Sequence, residues 1–284
     1  MVWSCLVSIL PGMAQTEKLT DYVNPFVGTD GYGNVYPGAQ IPFGGIQISP
    51  DTDSRFYDAA SGYKYNHLTL MGFSLTHLSG TGIPDLGDFL FIPGTGEMKL
   101  EPGTHEDPDQ GYRSRYSHDK EWASPNYYAV ELADYGVKAE MTSGVRSGMF
   151  RFTYPESDNA FIMIDMNHTL WQSCEWSNLR MINDSTITGY KLVKGWGPER
   201  HVYFTATFSK KLTGLRFVQD KKPVIYNTSR FRSSYEAWGK NLMACISFDT
   251  KAGEEVTVKT AISAVSTDGA RNNMKELDGL TFNE

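Results

Sequence analysis

From about Asn126 onward, apolar and polar residues alternate in short runs separated by turn residues. That is the period-two pattern of half-buried antiparallel strands. Phe150, Phe152 and Tyr154 share one face, Arg151 and Thr153 take the other, and Pro155 closes the run. The same alternation recurs at Val137, Ala139 and Met141, at Val202, Phe204, Ala206 and Phe208, and at Val256, Val258, Thr260 and Ile262. Such regular spacing predicts a mainly β chain, a large twisted antiparallel β-sandwich. No long amphipathic helix precedes Thr267. The one helical start is Ser266-Thr267-Asp268, residues that cap exposed amides, leading into 269–277.

Between Asp21 and Pro93 the periodicity fades and Gly, Pro and aromatic residues dominate, the texture of long loops laid over a scaffold, where function concentrates. The glycines of Gly31-Tyr32-Gly33 and Gly80-Thr81-Gly82 make neither a dinucleotide fingerprint nor a phosphate loop, because no strand-to-helix pattern and no lysine follow at the needed spacing. Positive φ or a close backbone approach explains them better. Asp51-Thr52-Asp53 opens like a calcium loop, but Phe56 stands where the glycine is required and Gly62 where the bidentate glutamate belongs. Gly72-Phe73-Ser74-Leu75-Thr76 lacks the second glycine of a nucleophile elbow.

The 284 residues, 40% of them hydrophobic, suffice for a large core. A net charge of −7 argues against nucleic acid as a partner; Lys191, Lys194, Arg200, Lys210 and Lys211 read as a solvated basic face. The first fifteen residues, an apolar run from Val2 to Leu10 with a small-residue exit at Gly12-Met13-Ala14, read as an export signal clipped at its basic start, with cleavage after Ala14. Cys5 lacks the surroundings of a lipid-acceptor cysteine. No stretch has the run of apolar residues that a transmembrane helix needs. Export would leave Cys174 and Cys245, too few for a disulfide framework or a zinc site; buried free thiols are the leading reading and a single bridge the alternative. Sequons at Asn167, Asn183 and Asn227 matter only where exported proteins are glycosylated.

The loop-rich region carries a distinctive series: Asn24-Pro25-Phe26-Val27-Gly28-Thr29, Tyr36-Pro37-Gly38-Ala39, Pro42-Phe43-Gly44, Gln47-Ile48-Ser49-Pro50-Asp51, Ser61-Gly62-Tyr63-Lys64-Tyr65, then Gly72 through Gly82 and Asp85-Leu86-Gly87-Asp88. With Pro125-Asn126-Tyr127-Tyr128 and Tyr203-Phe204 downstream, this order resembles glycoside hydrolase family 92, the exo-acting α-mannosidases, from about Asp21 to about Glu276. The resemblance implies an N-terminal β-sandwich followed by a C-terminal (α/α)6 barrel, with a mannose-containing glycan bound at their junction. It also implies inverting hydrolysis by a glutamic acid and an aspartate spaced to admit water, with calcium as cofactor. Acid, base and calcium ligands belong to the barrel, so no catalytic residue and no metal ligand is assigned here. On this reading residues 1–14 are the signal, 15–265 the sandwich, and 266–284 the start of a linker helix toward a barrel that the chain lacks; its end at Glu284 is then a truncation, and the chain alone is inactive.

What this half would supply is pocket wall. Family members that cleave α-1,2 linkages carry Trp-Asp-Gly-Cys before the Ser-Gly-Tyr match, where this chain reads Tyr57-Asp58-Ala59-Ala60. Tyr57 offers an apolar face and a hydroxyl, Asp58 an acceptor; the departure leaves the linkage open between α-1,2 and a related one. The other substrate-binding candidates are His77, Asp85 and Asp88; a satisfied structural histidine and turn-capping aspartates are the competing readings. A different overall reading is a carbohydrate-binding module without catalysis, stacking sugars on Trp122, Trp171, Trp176 and Trp196, if those rings do not pack in a core or interface.

Overall fold

A computed structural model describes residues 18–54, 57–225 and 236–284. The export signal, Phe56 and the Asn227 sequon lie outside the described residues. Two antiparallel sheets face each other. One has seven strands, in the spatial order Ser49–Asp51, Gly72–Ser74, Leu90–Thr95, Ser157–Asp165, Leu242–Thr250, Gly214–Gln219 and Lys222–Pro223. The other has nine, in the order Glu236–Gly239, Ser173–Asn183, Thr186–Lys194, Arg200–Phe208, Glu254–Ser263, Ser147–Tyr154, Val137–Ser143, Tyr127–Leu132 and Glu121–Ser124.

The predicted alternation is the observed register. Phe150 pairs with Val258, Phe152 with Val256 and Ala206 with Thr260, so every inward set lands on one face and is buried. The two inner faces meet through aromatic rings: Phe150 packs on Phe91 at 4.9 Å and Phe89 on Phe204 at 4.5 Å between centroids. In the strand Ser157–Asp165, Ile162 and Ile164 point into this core while Phe161 and Met163 join a second cluster on the outer face with Tyr112, Met243 and Cys245. From Ala160 to Ile164 that strand is buried on both sides, which is why its sequence reads there as an unbroken apolar run. Cys174 and Cys245 are both buried free thiols.

The capped helix forms at Thr267–Asn273, with the Ser266 hydroxyl accepting from the Gly269 amide at 2.9 Å. It lies against the strands Glu254–Ser263 and Arg200–Phe208 of the nine-stranded sheet, burying Ala270. Among the described residues no helix is long and apolar enough to cross a membrane.

Candidate functional site

The loop-rich motifs are held together by buried charge. Asp51 ends its short strand facing two histidines: His77 Nε2 donates to one carboxylate oxygen and His168 Nε2 to the other, both at 2.7 Å. His77 Nδ1 also donates, to the Gln47 carbonyl at 2.8 Å. Both nitrogens of that ring thus face acceptors. Burial pushes the Asp51 carboxyl up, but the charge of His77 and the two imidazole hydrogen bonds outweigh it and hold the group well below the usual carboxylate range. The carboxylate fits because residue 62 is glycine: a Cβ there would stand 2.1 Å from Asp51 Oδ1, and the backbone is left-handed at φ +86°.

A second node sits at Asp88. It accepts from Thr76 at 2.7 Å, from Lys191 Nζ at 3.1 Å and from both terminal nitrogens of Arg200. Burial again raises the carboxyl, but the charges of Lys191 and Arg200 prevail and hold it well below its ordinary range. Lys191 also donates to the His168 carbonyl at 2.6 Å, joining the two nodes into one chain. Asp85 extends it, accepting from the Leu86 amide at 2.6 Å and the Trp196 amide at 3.2 Å, with Arg200 at 3.8 Å. Lys191 and Arg200 are therefore not part of a solvated basic face. Lys191 occupies the inward parity of its strand and is fully buried against the Phe89 ring; it is retained there because Asp88 neutralises it.

This network braces two loops against each other. The Leu170 amide donates to the Leu86 carbonyl at 3.0 Å and Gln172 to the Pro84 carbonyl at 2.7 Å. Leu86, Phe89 and Trp171 are all left-handed, at φ +73°, +58° and +64°, each costing about 1–3 kcal/mol for a bulky side chain. Three bulky left-handed residues thus fall in this one loop pair, beside the buried ion-pair network that braces it.

Above the network lies an aromatic rim. Tyr57 is 54% exposed, Trp171 57% and Trp196 65%. Tyr57 and Trp171 meet edge to face at 6.0 Å, and the Tyr57 hydroxyl lies beside Gly82. Of the five predicted pocket residues, the structure brings His77, Asp85 and Asp88 into the buried network and leaves Tyr57 on the rim. The Asp58 side chain is outside the described residues. His77 and Asp88 have their polar atoms engaged within the protein, while Asp85 keeps a little exposure at the edge. Among the described residues no group of three or more His, Cys, Asp or Glu is arranged to hold a metal ion. The two carboxylate nodes are saturated by histidine, lysine and arginine, a poor match for calcium, which takes oxygen ligands.

The family model for the glycosyl hydrolase family 92 N-terminal domain matches residues 22–263, the whole sandwich and its loops. The chain belongs to glycosyl hydrolase family 92. A solved family 92 glycosyl hydrolase, ccman5, superposes with a TM-score of 0.77 at 26% identity, over 93% of this chain and 35% of that one. The inverting mannosidase of family 92 from Bacteroides thetaiotaomicron gives 0.75 at 24% identity, over 93% and 34%, a likeness of fold. An uncharacterized secreted glycosidase of Arthroderma benhamiae is 30% identical over 139 residues, 48% of this chain and 17% of that protein. The chain thus spans about a third of the solved family 92 proteins that it matches.

Asp85, Asp88 and His77 are legible in the sequence as candidates, but their partners are not: Asp51 appears there as part of a family motif and of a failed calcium loop, Lys191 and Arg200 as solvated charges, and His168 only within the Asn167 sequon. The signal that the sequence offers is Lys191, at an inward position of its strand.

Proposed function

We propose that this family 92 domain is the sugar-facing N-terminal part of an exported, inverting exo-α-mannosidase. Tyr57 contacts the leaving sugar, Asp58 would offer it an acceptor, Asp85 stands at the edge of the pocket, and His77 and Asp88 hold its wall in place. The observation that carries this reading is the braced loop pair: Asp51, His77 and Asp88, which lie within motifs shared with the family, anchor one buried ion-paired framework under an exposed aromatic rim. The acid and base lie outside this chain. In support, every carboxyl whose proton affinity is clearly shifted among the described residues is shifted down, including Asp51, Asp88 and the Arg151-paired Glu140, lowered to about 2. A general acid for glycoside cleavage needs the opposite shift. Calcium, implied by the family, would likewise be held by residues beyond this chain. Export draws support from the secreted relative.

The test is the stereochemistry of release. When the protein is expressed with its downstream coding region and given an α-mannobioside, proton NMR of the first-formed product is expected to show β-mannose, as an inverting displacement requires. Initial α-mannose refutes inversion, and failure to release mannose refutes the substrate.

One observation favours a second reading, a sugar-binding module without catalysis. Trp122 and Trp176, each 45% exposed, join Trp171 and Trp196 in being open to solvent rather than packed in the core. An extended protein that binds mannosides and never cleaves them would decide for it.

A further inference from the structure

An open cleft of about 830 Å3 runs along the outer side of the seven-stranded sheet, within the ~300–1,000 Å3 typical of ligand sites. Its floor is apolar, with Tyr112 and Met243, and its walls carry Asp165, Asn167, Gln172 and Asn241. Trp171 stands at its mouth, between the cleft and Tyr57. The fold holds this indole in two unfavourable ways at once: its backbone is left-handed at φ +64°, and more than half of its surface faces water. Core packing explains neither. A planar apolar ligand face resting on the ring explains the exposure, because stacking recovers that surface, and the left-handed backbone is what holds the ring at the cleft mouth to receive it.

We propose that this cleft receives the portion of a neutral glycan that lies beyond the leaving sugar, with Trp171 as stacking platform and Tyr57 and Trp171 forming one continuous track. Pyranose rings present C–H faces to an indole and hydroxyls to carboxylate and amide groups, the two kinds of surface that the cleft combines. Its charge selects against anionic sugars. Lys221 is already paired with Glu101 at 2.6 Å, leaving Asp165 and Asp220 to set a negative field. The inference rests on the mannoside reading for the sugar type, not for the existence of the cleft.

The test uses the 284-residue chain and its Trp171 indole N–H resonance, assigned by its loss in Trp171→Phe. Titration with linear α-mannosides of two, three and four sugars is expected to shift that resonance saturably, with affinity rising as the glycan lengthens. Trp171→Gly suits a left-handed backbone and so keeps the fold, checked by near-ultraviolet circular dichroism; it is expected to weaken tetrasaccharide binding at least tenfold. Trp171→Phe keeps a ring and retains most of the affinity, and Trp238→Ala, on the opposite sheet, changes nothing. Binding that survives Trp171→Gly overturns the proposal, as does a silent indole with all three mannosides and with matched gluco-configured glycans. Trp171-dependent binding of the gluco-configured series alone supports the cleft and overturns the mannoside reading.

Discussion

Asp88 accepts from Thr76, Lys191 and Arg200, three side chains from separate stretches of chain, and it neutralises a lysine with no access to water. Removing one member of such a buried pair strands the other, at a cost of about 3–5 kcal/mol. Asp88→Ala is therefore expected to lower stability by about that amount in urea unfolding, and adding Lys191→Met to recover most of it. An Asp88→Ala loss below about 1 kcal/mol would contradict the network. At this scale the sequence was half legible. A rare inward lysine could have been read from the parity of Ile187, Gly189 and Val193, but its partner could not. The pair closes only when a loop from one sheet meets a strand of the other, and no local pattern encodes that meeting.

Among the elements, the strands were legible because one rule, alternation, decides both their existence and which face is buried. Phe150, Val202 and Val256 face inward as their spacing predicts. The terminal helix was legible from its cap, but not its docking: Lys259 donates to the carbonyls of Leu277 and Leu280 at 2.8 Å, fastening the following segment to the sheet. The loops have no period to read, and their conformations are set by the Asp51 and Asp88 nodes. Both carboxyls are depressed in the folded chain, so the unfolded chain binds more protons once pH approaches the ordinary aspartate value of ~3.9. Their stabilisation is complete above about pH 5 and is lost as acidification proceeds below it. The urea midpoint is expected to fall between pH 5 and pH 3, and less steeply in an Asp51→Asn, Asp88→Asn variant. Equal slopes in the two proteins would show that these nodes do not brace the loops.

Taken whole, the molecule is a rigid double sheet carrying one strained loop cluster on its side. The nine-stranded sheet and the aromatic core supply the rigidity; the loops carry the family 92 motifs and expose Tyr57, Trp171 and Trp196. Such a surface can orient and stack a sugar, but breaking a glycosidic bond needs a proton donor and an activated water as well. Asp51 and Asp88, the carboxylates of the two nodes, are committed to histidine, lysine and arginine and are held below their ordinary range, the opposite of what a proton donor needs. The proposal at this scale is that this chain shapes a saccharide site and leaves cleavage to residues outside it. Its most direct test is mannose release by the purified 284-residue chain from an aryl α-mannoside and from α-mannobiose, with and without added calcium. The account predicts no release above the uncatalysed background, and mannose formation that tracks the chain through purification and is lost with a chelator would contradict it.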